Sequence, residues 1–417
     1  MAATPHREAP PVLVTREEEL RAAVLRLTKA ERVAVDIESN GLFKYRATLC
    51  VMQLATPTEI VIVDTLATPL GALAELLGPA GPRKIVHDVA FDARILAEAN
   101  LPLENVLDTS IAARMLGRAA TGLASLLGSE LGITMDKKLQ HHDWTERPLQ
   151  RHHLRYLADD VVHLDELAER LWREVDERAI GDAVEEETRY RLAQAVAAAG
   201  SVDPRPPYVR LKGIDRVPKE ELPILRRLAE LREAKARSLD VPPYKVLGPD
   251  VLFAVAKARP RSLEDLARVK GATSGHRARS LARPMLEAVA AGLTDGDVPE
   301  EERAMLSRPR LPPALVKARR GRESRLTSWR KAEAKRRGVD EQVVLPGHCL
   351  QDLADLDEGA SLDAIAAVPG IGAFRVARDG QALCVALAAQ PAAGPEPSAS
   401  EDAEPGADAP RFDPEAS

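Results

Sequence analysis

An α/β domain with a mixed sheet, followed by two all-helical modules and an acidic tail, is the architecture this sequence predicts. Three observations carry that expectation. Three apolar runs separated by turn residues come early in the chain and lead into strand–helix units, the order of a mixed sheet covered by helices. Beyond residue 197 the pattern is helical, in two blocks that share a glycine-bearing turn. With 417 residues and 45% apolar content, the chain is long enough for two or three domains with cores of their own.

Residues 1–11 have no apolar run, so they read as a disordered start rather than a secretory signal. The α/β domain is expected over 12–196. In it RVAVDIE, TLCVMQLA and EIVIVD read as successive strands, with breaks at Asn40–Gly41 and Thr56–Pro57–Thr58. LGALAELLG then reads as helix, RKIVHD as strand and AFDARILAEAN as helix, and from about Ser110 to Val175 the pattern is almost wholly helical. A Pro/Gly-bearing linker is expected at 197–215 and a first helical module at 216–293. A Pro/acid-rich linker follows at 294–311, then a second module at 312–390. VPGIG (368–372) stands in the second module where VKGATSG (269–275) stands in the first, so the two read as diverged repeats.

The net charge of −6 resides in the tail, 391–417, where seven acids face only Arg411. That segment also holds six prolines and is expected to be disordered. Between Arg303 and Arg337, by contrast, 13 Lys and Arg stand against Glu323 and Glu333, a local excess of +11. Such a stretch is a candidate footprint for a polyanion. No apolar run is long enough to span a membrane. Three scattered cysteines point to a reduced, cytoplasmic protein without a disulfide framework.

The chemistry is concentrated in a few acids. Asp36 and Glu38 lie two apart at the end of an apolar strand, so both face one side of the sheet, where like charges repel. Asp92 opens an otherwise apolar helix. Tyr156 and Asp160 are four apart, on one helix face. Singly each has an ordinary reading: Asp92 near a helix dipole, Asp160 paired with Arg155 or His163, Asp36 and Glu38 on a structural Ca²⁺. Gathered in one site, four carboxylates could not all ionise unless about two divalent ions balanced them, and hard cations such as Mg²⁺ prefer oxygen ligands. Tyr156 is a poor base at neutral pH and is better cast as the hydroxyl that orients water.

D-x-E after a strand, an Asp five residues beyond a strand-ending His (HDVAFD), and Y-x3-D on a late helix resemble the three motifs of the DEDD exonuclease superfamily. The subgroup is the one with tyrosine, because the position a histidine would need is Arg155. YRATLCVMQLATPTEIVIVDTL, VLDTSIAARMLG, GLASLLGSELGI and DKKLQHHDWTERPL resemble ribonuclease D and its relatives, and the resemblance runs from about 12 to 176. The helical blocks resemble the HRDC module, the first closely and the second, with its basic start, more loosely.

The resemblance implies a ribonuclease H-like sheet and 3′→5′ exoribonucleolysis that trims tRNA precursors to 5′-mononucleotides, by a monomer with no membrane association. It implies two Mg²⁺ (or Mn²⁺) ions held by Asp36, Glu38, Asp92 and Asp160, with Tyr156 orienting water. Asp88 and Asp159 lack the motif spacing, and Asp108 reads as a helix N-cap. Ser39, Asn40, Gly41 and Leu42 are placed to meet the terminal nucleotide. Gln53, Lys137, Gln140 and Arg147 match family positions near the site wall, where a basic residue can hold phosphate or form a structural salt bridge. VPGIG resembles a hairpin whose N–H groups approach phosphate, with a tight helix–helix turn as the equal alternative. A DNA exonuclease uses the same four acids. A non-catalytic nucleic-acid-binding protein is disfavoured because the acids and the tyrosine are all present.

Overall fold

Residues 10–201, 203–306 and 312–388 are described by the structure, a computed structural model. The expected disordered start lies almost wholly, and the acidic tail entirely, outside them. Six strands make one sheet: β1 (Val12–Val14), β2 (Arg32–Ser39), β3 (Leu49–Ala55), β4 (Ile60–Asp64), β5 (Arg83–Val86) and β6 (Val106–Asp108). Their order is β1-β4-β3-β2-β5-β6. β2, β3 and β4 run antiparallel, while β1, β5 and β6 join in parallel.

Eight helices cover the sheet: α1 (Glu17–Leu27), α2 (Leu73–Leu77), α3 (Val89–Glu98), α4 (Thr109–Met115), α5 (Leu123–Leu126), α6 (Arg151–Asp159), α7 (Leu164–Glu177) and α8 (Gly181–Ala198). The alternation of β2 decides what each face meets. Val33, Val35 and Ile37 join the larger core, with Leu20, Leu27, Leu96 and Val184. Ala34 joins the smaller core, with Leu157, Ala158, Val161 and Leu164 of the α6–α7 region. Asp36 and Glu38 lie on this second face, where the strand runs out toward its end.

The structure adds three elements that the sequence reading lacked, β1, α1 and β6. It also corrects the stretch after residue 131, because 132–150 is not helical. Asp136 and Asp143 accept from the N–H two residues on (Lys138 at 3.0 Å, Thr145 at 3.1 Å), and these turns together with Pro148 exclude a continuous helix.

The first module contains α9 (Leu222–Leu239), α10 (Pro249–Ala258), α11 (Leu263–Ala267), α12 (Gly275–Ser280), α13 (Ala282–Asp295) and α14 (Glu300–Leu306). Both expected linkers are corrected in part. Tyr208 and Leu211 are buried in this module's core, and Val298 joins them. Glu302 of α14 receives Arg226 Nε at 2.8 Å. One buried aromatic ring is enough to turn a proline-rich connection into a packed strap.

The second module contains α15 (Pro313–Arg337), α16 (Glu341–Val344), α17 (Gly347–Asp355), α18 (Leu362–Ala366) and α19 (Ala373–Ala388). The repeat is visible in its caps and turns. Ser262 Oγ accepts from Asp265 N at 3.1 Å, and Ser361 Oγ accepts from Ala364 N at 3.2 Å. Gly271 and Gly370 follow with φ of +86° and +79°. Among the described residues no helix is long and apolar enough to cross a membrane.

Candidate active site

β2, between β3 and β5, carries Asp36 and Glu38 near its C-terminal end. At Asp88 the chain turns sharply out of β5 with φ +66°, so that α3 starts at once and Asp92 falls in its first turn. Asp108 fixes that start. Its carboxylate accepts from Val89 N at 2.8 Å and Asp88 N at 3.3 Å, and also from Ser110 N at 2.8 Å and Ile111 N at 3.0 Å. One buried carboxylate thus caps two helices, as the D-T-S sequence foreshadowed. From the far side of the pocket α6 brings Tyr156, with Asp160 as its C-cap residue.

The five side chains feel one another. Burial, with the charges of Asp36 and Asp160 beside it, pushes Glu38 up to about 9. Asp36 is raised by burial, against a hydrogen bond from the Ile37 N–H. Burial raises Asp92 as well, followed by repulsion from Asp36, Asp108, Asp88 and Glu38. Asp160 is raised by burial and then by Asp36 and Asp159. Tyr156 is pushed above its usual range by burial, then by Asp160, Glu38 and Asp36.

Asp92, 6% exposed, has a buried Oδ2 with no hydrogen-bond partner. Among the described residues no three His, Cys, Asp or Glu side chains close on one point as a finished metal cage. The donor set nevertheless suits a hard divalent ion. It is all oxygen, and such ions take only a carboxylate or two and leave the remaining positions to water and phosphate.

Trp144, 1% exposed, lies beside Tyr156 and Glu38. Its ring centroid lies 5.9 Å from that of Tyr156. Its indole N–H lies toward Glu38 and holds that carboxyl down slightly, without completing a hydrogen bond. In the sequence Trp144 is one residue of DKKLQHHDWTERPL, with no catalytic role assigned to it. Nothing in the spacing shows that it lies beside the acids.

Three of the eight expected substrate contacts have side chains that are buried or engaged within the protein. Asn40 is buried, and its Oδ1 is spent on Thr48 N at 2.7 Å. Gln53 is fully buried, opposite Asp36 in the β2–β3 register, with neither amide atom bonded. Arg147 is the structural alternative. Its Nε and Nη2 grip Asp64 at 2.6 and 2.8 Å, and the remaining donors go to the carbonyls of Cys50, Trp144 and Glu146. Ser39, Leu42 and Lys137 reach the surface. Asp88 and Asp159 are repelled neighbours of the pocket, but neither has the motif spacing.

A family model described as 3′-5′ exonuclease matches residues 11–176, and one described as HRDC domain matches 221–289 and again 320–387. A protein named ribonuclease D from Gluconacetobacter diazotrophicus is 31% identical over 313 residues, covering 73% of this chain and 78% of that one. The chain belongs to the ribonuclease D family. The expected fold is also that of solved structures. Escherichia coli RNase D aligns with a TM-score of 0.64 at 22% identity, over 90% of this chain and 98% of that one. A Bifidobacterium adolescentis protein aligns with a TM-score of 0.71 at 22% identity, over 92% and 98%. The second HRDC match starts at 320, so the first two turns of α15, with Lys317, precede it.

Proposed function

We propose that this member of the ribonuclease D family is a 3′→5′ exoribonuclease that trims tRNA precursors and related RNAs, releasing 5′-mononucleotides. The observation that supports it most is the convergence of Asp36, Glu38, Asp92 and Asp160 with Tyr156 on one pocket, each raised by burial and, Asp36 apart, by its neighbours' charge. The four acids would hold two Mg²⁺ or Mn²⁺ ions, consistent with the family's use of divalent metals. Such ions neutralise the charge of the scissile phosphate and favour ionisation of the attacking water.

The chain's own part is to position. Tyr156 keeps its proton at neutral pH, so its hydroxyl can orient that water but cannot act as a base. Ser39 and Leu42 lie beside Glu38, where a terminal nucleotide would meet backbone and apolar surface. Contacts of that kind read little sequence. We take the protein to act as a monomer. We place the protein in the cytoplasm.

The body of the RNA would be held by part of the basic stretch. Much of the +11 excess turns inward: Arg322 donates to Ala354 O at 3.0 Å, Arg325 to Ala386 O at 2.8 Å, Arg330 to Glu341 O at 3.1 Å, and Arg337 pairs with Asp379 at 3.2 Å. Lys317, Arg320, Lys331 and Lys335 are exposed and have no side-chain partner among the described residues. Their spacing puts all four on one face of α15.

The test is digestion of an end-labelled 3′-extended tRNA and a matched single-stranded DNA, with Mg²⁺ or with chelator. Rapid, Mg²⁺-dependent loss of the RNA end is expected, falling at least about 100-fold in Asp36→Asn and Asp160→Asn. Equal or faster digestion of the DNA would overturn the RNA assignment, and full activity in those variants would overturn the site.

A further inference from the structure

The loop between β2 and β3, residues 40–48, follows directly on Glu38 and Ser39 and includes Asn40–Leu42. Its base is closed from within, because Phe43 N and Lys44 N donate to Asn40 O at 2.8 and 3.0 Å. Asn40 Oδ1 holds Thr48 N. The outer half of the loop makes its contacts elsewhere, and four consecutive residues each have a partner on the first HRDC domain. Leu42 O accepts from Tyr244 Oη at 3.2 Å. The Phe43 ring lies 4.1 Å below Lys245 Nζ. Lys44 Nζ pairs with Asp240 at 2.9 Å, and Tyr45 N donates to the same carboxylate at 3.4 Å. Tyr45 Oη donates to Glu233 at 2.5 Å and accepts from Arg237 Nη2 at 3.2 Å.

Resting on the reading of the site above, we infer that the first HRDC domain serves the reaction by holding the loop that receives the terminal nucleotide. Tyr45, Glu233, Asp240 and Tyr244 are positioning residues for it, not RNA contacts. A nine-residue connection that ordered only on binding substrate would lose conformational entropy at every turnover, at about 1 kcal/mol or more per residue. Docking on α9 and residues 243–245 orders it beforehand. The arrangement fixes the Leu42 carbonyl while its side chain stays 45% exposed toward an incoming group. Displacing a positioned substrate by about 1 Å can cost on the order of 100-fold in rate, so a loop held only at its base would be a poor seat.

The experiment combines Tyr45→Phe, Asp240→Asn and Tyr244→Phe in the full chain. Activity is followed on a 3′-extended tRNA and on a trinucleotide, which is too short to lie across a helical domain. Loss of positioning lowers kcat by about tenfold or more on both substrates, and speeds amide hydrogen exchange at 42–45 while leaving β2 unchanged. Glu233→Gln keeps the acceptor for Tyr45 and retains the wild-type rate, whereas Glu233→Leu behaves like the triple variant. A rise in KM on the tRNA alone, with normal exchange, would show direct RNA contact and overturn the inference, as would unchanged exchange with unchanged kcat. The exchange readout needs no activity, so a failure here is distinct from a failure of the exonuclease assignment, which wild type and Asp36→Asn test independently.

Discussion

The two HRDC domains share a fold and hold the exonuclease domain by opposite chemistry. The first uses Glu233 of α9 and Asp240 at its end, which meet Tyr45 and Lys44 on a loop beside the acids. The second uses its hairpin turn. Glu186 of α8 reaches into the VPGIG turn, where Oε1 accepts from Phe374 N at 2.7 Å and Oε2 pairs with Arg375 at 3.2 Å. Arg375 is fully buried and also donates to Ala183 O at 3.2 Å. Tyr190 of α8 stacks on His348 with ring centroids 4.1 Å apart, and Val343 enters the larger exonuclease core. Of the two readings of VPGIG, the structure bears on the tight helix–helix turn: the N–H that donates to a carboxylate is that of Phe374, at the start of α19 just past the motif. Exposed ion pairs contribute little to stability and buried ones are costly to break. The first contact is suited to tuning a loop, the second to fixing a domain.

The largest stability effect should come from breaking the second contact. Glu186→Ala leaves the Arg375 guanidinium buried with its charge unpaired, at a cost of about 3–5 kcal/mol. Calorimetry should show the second domain melting earlier, and limited proteolysis should release it. The triple variant at the first contact should melt within about 1 kcal/mol of wild type, although its kcat falls. If the two sets of variants were equally destabilising, the contrast would fail.

Glycines refine the same comparison. A Cβ on Gly372 would lie 2.0 Å from the Glu186 carboxyl carbon, whereas one on Gly275, in the corresponding turn, meets nothing within 4 Å. Both have positive φ, +74° and +77°, so alanine strains each by about 1 kcal/mol or somewhat more. Only Gly372→Ala should also undock its domain. Thermal midpoints of the two variants separate strain from displacement.

How much of this was legible in the sequence follows from range. Asp36, Glu38, Asp92 and Asp160 drew notice as acids in apolar strands and helices, and with Tyr156 they became a candidate site only through their combined motif spacing. The main strands showed themselves by periodicity. Short elements, such as β6 with its three residues, carry too few positions for a period to show. Pairings across long separations left no local trace. Arg147 with Asp64, Glu186 with Arg375 and Tyr45 with Glu233 are far apart in the chain, and the sequence offers each only as a charge or a hydroxyl. The basic stretch misled by its sum, because half-buried arginines count the same as exposed lysines until the helix face is known.

That face gives a further contrast. On α9 three basic residues are engaged within the protein: Arg226 and Arg227 pair with Glu302 and Asp295, and Arg237 sits on Tyr45. α15 leaves Lys317, Arg320, Lys331 and Lys335 outward. Replacing these four with Gln should reduce the slope of log affinity against log salt by about 0.7 for each phosphate of single-stranded RNA that is no longer neutralised. The folded state should be unaffected. The same slope in wild type and variant would remove α15 from the RNA path.

The smallest expected effect is of pH. His348, against Tyr190, is held below its usual range by burial, with Arg191 and Arg375 adding to that and Glu187 and Asp352 opposing. A folded-state pKa that is depressed means the neutral ring is favoured in the docked domain. Its contribution is whole above the unfolded value of about 6.5 and is lost as pH falls from there through the depressed value. The first contact has no histidine. Asp240, lowered by Lys44, stays ionised until far more acid pH. Between pH 7.5 and 5.5 the second domain of the wild type should therefore lose more stability than that of His348→Gln, while exchange at 42–45 keeps the same protection once corrected for intrinsic rate. Equal losses with and without His348 would place the pH sensitivity elsewhere in the Glu186–Arg375 interface.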